Sequence, residues 1–255
     1  MVILLPVDPE DLPRVRGVLD GSIEPSAPRP AVTVVLVRDG AEGLEVLLLR
    51  RNPRLAFAPG RHVFPGGSVD PSDTEAVPWR GAAASEPHLA TAGVRETFEE
   101  CGVLLAVDSS GRPAVVDRGD GSWEHDRVAL ESASVSLGSV LRRRGLALDR
   151  GLLTPVAHWV TPIAEKRRFD TRFLLAALPE GQQTWEIVGE SDQQEWMRPA
   201  EALDRDLPML PPTRAVLREL LADSTVAEAR ARPRVLERIQ PGVRLDGNRL
   251  ELLLP

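Results

Sequence analysis

The stretch from His88 to Gly102 constrains this 255-residue chain more than any other. It contains no proline, and Gly102 stands where a helix would close on a left-handed residue. The pattern predicts a helix over 88–101 with Gly102 just past its end. Glu96, Glu99 and Glu100 lie at i, i+3 and i+4, so at about 100° per residue they share one face, while Val94, Phe98 and Cys101 fall nearly opposite. The plain explanation is a solvated acidic face over a core-packed stripe. Placement counts against it: three carboxylates crowd the C-terminal half of the helix, where the macrodipole disfavours anions and where they repel one another. A divalent cation would remove both penalties. Hard ions such as Mg²⁺ or Mn²⁺ take carboxylate and carbonyl oxygens and leave positions for substrate phosphates.

Around this helix the chain alternates strand and helix patterns, as an α+β or layered α/β/α domain does. Ala31 to Val37 and Leu44 to Arg50 read as strands joined by the turn Asp39 to Gly43, a hairpin. Arg51 to Gly67, rich in arginine, proline and glycine, reads as loop with a short strand at most. Asp126 to Arg144 reads as one helix with a basic end. Val156 to Val160 and Asp170 to Leu178 read as strands, Glu186 to Glu190 as a weaker one, and Pro199 to Arg205 and Pro212 to Ala222 as helices. Asp246-Gly247-Asn248 centres a C-terminal hairpin over Val243 to Leu254. These signals divide the chain into an N-terminal extension with a proline-rich linker (1–30), a main domain (31–223), and a C-terminal extension with a hairpin (224–255). That hairpin offers an edge to a second subunit, the expected route to a homodimer.

Gly66-Gly67, then Asp73, then Arg95-Glu96-Thr97-Phe98-Glu99-Glu100-Cys101-Gly102-Val103 resembles the Nudix box, G-x5-E-x7-R-E-U-x-E-E-x-G-U with U aliphatic. The second half matches at Arg95, Glu96, Glu99, Glu100, Gly102 and Val103. The first half departs from the pattern. Asp73 replaces glutamate, Thr97 replaces an aliphatic residue, and 21 residues instead of seven separate Asp73 from Arg95, an insertion of 14 at about 74–87. An inserted box, with Leu47 to Asp70, Trp159 to Pro162, Arg168 to Phe173, Trp196 with Pro199, and Leu210 to Thr213, resembles the coenzyme A diphosphatase-like branch. The resemblance implies an α/β/α sandwich with a mixed sheet. It also implies Mg²⁺- or Mn²⁺-dependent hydrolysis of a nucleoside diphosphate linked to another moiety. For coenzyme A or acyl-CoA the products would be 3′,5′-ADP and (acyl-)4′-phosphopantetheine. Carried over residue by residue, Glu99, Glu100 and the Gly67 carbonyl hold metal, Glu96 positions or deprotonates the attacking water, and Arg95 holds a helix carboxylate, Glu99 being its i,i+4 partner. A further acidic ligand from a later loop falls on Glu190, with Glu165 second. The same box also suits an ADP-ribose, nucleotide-sugar or dinucleotide diphosphatase, or a non-catalytic nucleotide sensor; retention of all three glutamates speaks against the sensor.

Charge narrows the partners. The formal net charge of −7 excludes a sequence-independent nucleic-acid binder and a membrane-surface binder, both of which depend on excess positive charge. The acids are pooled: 64–103 nets −5, from seven acids against Arg80 and Arg95, and 179–206 nets −6, from eight against Arg198 and Arg205. Basic flanks adjoin them. Arg50, Arg51 and Arg61 in one, and Arg168 in the other, are the candidate hands for a phosphate-bearing small-molecule substrate, since guanidinium forks match phosphate oxygens. His62 is a weaker candidate in the same loop, and Trp79 and Trp123, read as loop residues, are weak candidates for stacking on adenine. A single cysteine, Cys101, excludes an internal disulfide and reads as a buried, inert thiol. With no targeting segment and no apolar run of spanning length, a cytoplasmic location is expected.

Overall fold

The computed structural model describes residues 2–54, 58–187 and 191–254. The chain opens with β1 (Val2–Pro6) and α1 (Leu12–Asp20). It continues through β2 (Arg29–Gly40), β3 (Gly43–Arg51), β4 (His62–Val63), β5 (Gly66–Ser68), α2 (Pro87–Cys101), α3 (Gly121–Glu131) and α4 (Leu137–Arg144). Next come β6 (Thr154–Val160), β7 (Phe169–Ala177), β8 (Ser191–Met197), α5 (Pro199–Asp204), α6 (Pro211–Leu220) and α7 (Val226–Ala231). The chain ends with β9 (Arg238–Ile239), β10 (Gly242–Asp246) and β11 (Arg249–Leu253).

β2 organises the main mixed sheet. Its alternation of Val34 and Leu36 with Val35 and Val37 leaves apolar side chains on both faces, as a strand covered by helices on two sides requires. It pairs in parallel with β7 over Arg29↔Phe169 to Val37↔Ala177, while β6 pairs antiparallel with β7 and β9 lies parallel to β6. β2 and β3 pair only next to their hairpin, Val37↔Val46 to Gly40↔Gly43. Farther along, β5 pairs with β2 at 31–33 and β4 pairs with β3 at 49–50, which puts Gly66 and Gly67 within the sheet where the first hairpin splays. β8 covers the other edge of β3.

Val34, Leu36, Leu47 and Leu49 pack under α2, α3 and α4, and Val35, Val37, Val46 and Leu48 pack under α5, α6 and α7. This is the expected α/β/α sandwich. At about 1.5–3 kcal/mol for each fully buried aliphatic or aromatic side chain, these two layers dominate the fold's stabilisation. A second sheet, β1-β11-β10, is antiparallel throughout, so the β11 edge of the hairpin is occupied by the chain's own N-terminal strand.

Three expectations change. The helix over 126–144 is two helices: α3 ends at Ser132, Ala133 takes a positive φ of 53°, and Ser136 caps α4 by accepting from the Ser139 amide. Serine side chains that compete for backbone amides favour such a break. Glu186 and Ile187 are irregular and 188–190 lie outside the described residues; the strand in this region is β8, whose polar sequence SDQQEWM hides it. Trp123 is in α3 and buried, edge-on to Phe98 with Arg144 stacked on it, and Trp79 bridges to Leu148 beside the core, so neither stands in an open loop.

Candidate active site

α2 carries the carboxylates, and its packing sets where they point. Pro87 occupies the first turn, where its missing N–H costs nothing, and Gly102 closes the helix at φ 69° with its amide donating to the Phe98 carbonyl. A side chain at 102 would also run into the Trp185 ring. Val94, Phe98 and Cys101 enter the core, where Phe98 meets Trp123 and Trp185 edge-on with centroids 6.2 Å from each. Locked in this rotation, the helix turns its glutamates toward β5 instead of toward solvent.

Gly66 and Gly67 are required by what approaches them. Gly66 sits at φ 154°, a Cβ there would overlap the Val32 carbonyl, and its amide donates to Glu100 Oε2 at 2.9 Å. A Cβ on Gly67 would fall inside the Glu96 carboxylate. Two successive glycines therefore let two helix carboxylates close on the backbone of β5.

Arg95 binds this cluster together. Its Nε and one terminal nitrogen donate to the two Asp73 oxygens at 2.9 and 2.8 Å, and the same terminal nitrogen reaches the Ser68 carbonyl at 3.1 Å. Its other nitrogen donates to Glu96 at 2.9 Å and Glu99 at 3.0 Å. Asp73, with a side chain 1% exposed, is fixed in turn by the Asp70 amide in a short 3₁₀ turn over Pro71–Thr74. Asp73 is thus the bidentate partner of Arg95, and Glu99, the partner expected from i,i+4 spacing, shares one nitrogen with Glu96. The D-P-S-D capping pattern was a sequence signal for that turn, though not for its long-range partner. Burial alone would lower the Arg95 pKa; the Asp73 bond and the charges of Glu96, Asp73 and Glu99 outweigh it and hold the guanidinium well above its ordinary value.

Glu99 responds differently. Its carboxyl is pushed up to about 7 on balance, burial raising it most, Arg95 pulling it down, and Glu96 pushing it up. The 3.0 Å contact to Arg95 does not keep it acidic, because that cation is shared with Asp73 and Glu96. The side chains of Glu96 and Glu99 are only 14% and 12% exposed, which removes the solvated-face explanation. The Glu99 carbonyl accepts from buried Arg127 of α3 at 3.1 Å, a tie that the sequence did not reveal. Arg127 also holds Glu124 and Glu131.

Other candidates lie elsewhere. Arg50 is clasped by Asp192 of β8 at 2.8 and 2.6 Å. Arg51 and Arg61 pair through their backbones, and the Arg61 side chain reaches the Met209 carbonyl at 3.3 Å. His62 stands opposite Arg50 with its pKa lowered chiefly by burial. Arg168 is a correction: it is buried and donates to the carbonyls of Thr161 and Ser26 and to Gln240, so it ties the linker and the C-terminal segment to the sheet and offers substrate no free fork. Glu165 sits with Arg14 and Asp11 of the α1 region, its pKa raised by burial. Glu190 lies outside the described residues. Cys101 is buried, donates to the Thr97 carbonyl at 2.9 Å and has its pKa raised by burial, as an inert thiol should.

Among the described residues no three His, Cys, Asp or Glu side chains are gathered tightly enough to hold an ion as they stand. The carboxylates are otherwise engaged: Arg95 holds Glu96 and Glu99, and the Gly66 amide holds Glu100. The donor set suits a hard cation all the same, with three carboxylates against a glycine cradle and one of them titrating near neutrality.

A solved NUDIX hydrolase from Alicyclobacillus acidocaldarius is 34% identical, has a TM-score of 0.71, and matches 81% of this chain and 97% of that one. This chain belongs to the Nudix hydrolase family. The NUDIX domain pattern matches residues 27–128, and the NUDT19 Nudix domain pattern matches 88–213. The human acyl-coenzyme A diphosphatase NUDT19 is 29% identical over 213 residues, 64% of this chain and 56% of that protein; the chicken protein of the same name is 26% identical over 220 residues, 63% and 56%. The chain thus spans a little over half the length of these two NUDT19 proteins. No helix among the described residues is long and apolar enough to cross a membrane.

Proposed function

We propose that this chain is a metal-dependent diphosphatase that cleaves a nucleoside diphosphate linked to another moiety. We take coenzyme A or acyl-CoA as its substrate, giving 3′,5′-ADP and (acyl-)4′-phosphopantetheine. The observation that carries the reading is the gathering of Glu96, Glu99 and Glu100 against Gly66-Gly67, half-buried, with Glu96 and Glu99 tied to Arg95 and Glu100 to the Gly66 amide. The similarity to relatives named acyl-coenzyme A diphosphatase supports the substrate class.

In this reading Glu99, Glu100 and the Gly67 carbonyl hold Mg²⁺ or Mn²⁺, with Glu190 as a further ligand. The ion neutralises the diphosphate and acidifies its bound water when present. Glu96, buried against Gly67, accepts the water proton. Arg95, anchored on Asp73, fixes the orientation of Glu96 and Glu99. Arg51 and Arg61 adjoin one another through backbone bonds and meet substrate phosphates, and Arg50 joins them by exchanging Asp192 for phosphate.

A panel of coenzyme A, acyl-CoAs, ADP-ribose, nucleotide sugars and dinucleotides, each with Mg²⁺ and with Mn²⁺, tests the proposal. Turnover of coenzyme A or its thioesters that disappears in Glu99→Gln and Glu100→Gln is the expected result. Hydrolysis of ADP-ribose without coenzyme A would overturn the substrate assignment. Tight nucleotide binding without turnover of any compound would make the protein a sensor.

A further inference from the structure

Gly67, Val32, Arg172 and His158 form one row across strands β5, β2, β7 and β6. Leu89 and Ala92 of α2 pack on Val32, so the helix stands as a partition. The carboxylate cluster lies on its β5 flank, and on the β7–β6 flank lies a cavity of about 310 Å³. Its walls are Leu89 and Ala90 of α2, Leu153, Pro155, Ala157, Leu174 and Leu236, with Ala84 to Glu86 at the end of the box insertion closing one side. This gives the inserted segment a structural consequence: its last residues build a wall away from the carboxylates.

The charges in the wall are unequal. Arg172 is shared between Glu86, at 3.2 Å, and Asp170, at 2.7 Å, and His158 is bonded to Asp170 at 2.6 Å. Arg150 alone of these cations has no hydrogen bond or salt bridge among the described residues; it is exposed at the rim, and the nearby carboxylate of Asp149 on which its charge acts is already bonded to Arg80. Leu236, 46% exposed, and Val235, 88% exposed, extend the apolar lining outward. An apolar chamber at the small end of ligand-site volumes, with one unpaired cation at its mouth, fits an aliphatic body carrying a single negative head. A dianionic phosphate fits less well, because Glu86 is part of the wall.

We propose that this cavity binds a small aliphatic carboxylate, its chain among Leu89, Leu153, Leu174 and Leu236 and its head on Arg150. The site is separate from the carboxylate cluster and does not depend on the diphosphatase reading.

Octanoate is the probe, with octanol as its uncharged counterpart, titrated into the full chain while the leucine methyl resonances are followed. Saturable shifts confined to the four cavity leucines, with Kd at or below about 1 mM, are expected. Ala84→Phe, which fills the chamber from a loop, should abolish them, and Arg150→Ala should weaken octanoate about threefold and leave octanol unchanged, as loss of an exposed ion pair would. No saturation by about 10 mM, or shifts that Ala84→Phe leaves intact, would overturn the site. If Ala84→Phe does not fold, Arg150→Ala decides: equal octanoate binding in this variant and the unaltered chain rejects the carboxylate assignment.

Discussion

Glu99 sits where desolvation outweighs a shared arginine, and its pKa of about 7 sets two pH dependences. With Glu99 as the metal ligand proposed above, an ion must displace its proton, so the Mn²⁺ dissociation constant should fall about tenfold per unit as pH rises toward 7 and level off above, measured by calorimetry in buffers of different ionisation enthalpy. Stability runs the other way in the metal-free chain. The folded pKa is raised above the ordinary 4.5, so the native state holds the extra proton between those values and this group's contribution to stability falls as pH climbs from 4.5 to 7. Urea midpoints across that window check the sign. Gly67→Ala isolates geometry: the residue has no left-handed φ, so the backbone accepts alanine, but the new methyl must displace the Glu96 carboxylate. Melting temperature should hardly move while kcat falls about 100-fold. Asp73→Ala instead takes the bidentate partner from the buried Arg95 guanidinium, which keeps Glu96, Glu99 and the Ser68 carbonyl, and urea unfolding should show a loss of about 1–3 kcal/mol.

At the scale of elements, α2 was legible because its two faces differ so strongly in chemistry, and β2, β3 and β7 because apolar runs bounded by turn residues have few other folds available. β8 was not legible: among the described residues it pairs with β3 alone, and at an edge strand pairing rather than burial decides, so Asp192, Gln193 and Glu195 carry no strand signal. The break between α3 and α4 was hidden for a related reason, since serine capping is a local choice that helical periodicity overlooks. Phe98 shows what an element contributes to the site. It alone links the carboxylate helix edge-on to two tryptophans, and Phe98→Ala should cost about 3–5 kcal/mol in denaturant unfolding. Activity at low temperature, where the variant remains folded, should also drop, because the rotation that points Glu96 and Glu99 at β5 is no longer pinned.

In the whole molecule the termini meet: β1 lies beside β11, and Leu250 and Leu252 pack with Val15 and Ala164. Removing residues 242–255 takes both leucines from the core and leaves β1 unpaired. The shortened chain should lose about 3–6 kcal/mol by denaturant unfolding, with the site's metal affinity intact because no described contact of the carboxylate cluster comes from that sheet. The sequence by itself determined the alternation of strands and helices, the carboxylate helix, and the glycines beside it, because periodicity, helix closure and backbone freedom are properties of short stretches; the three-layer arrangement came with the resemblance to the Nudix box. Only the tertiary structure decided that Arg95 answers to Asp73 across the insertion, that Arg168 is a tie rather than a hand, and that the N-terminal strand completes the C-terminal hairpin. Those are pairings of groups far apart in the chain, and a charged or polar side chain is equally at home in water until packing removes the water from around it.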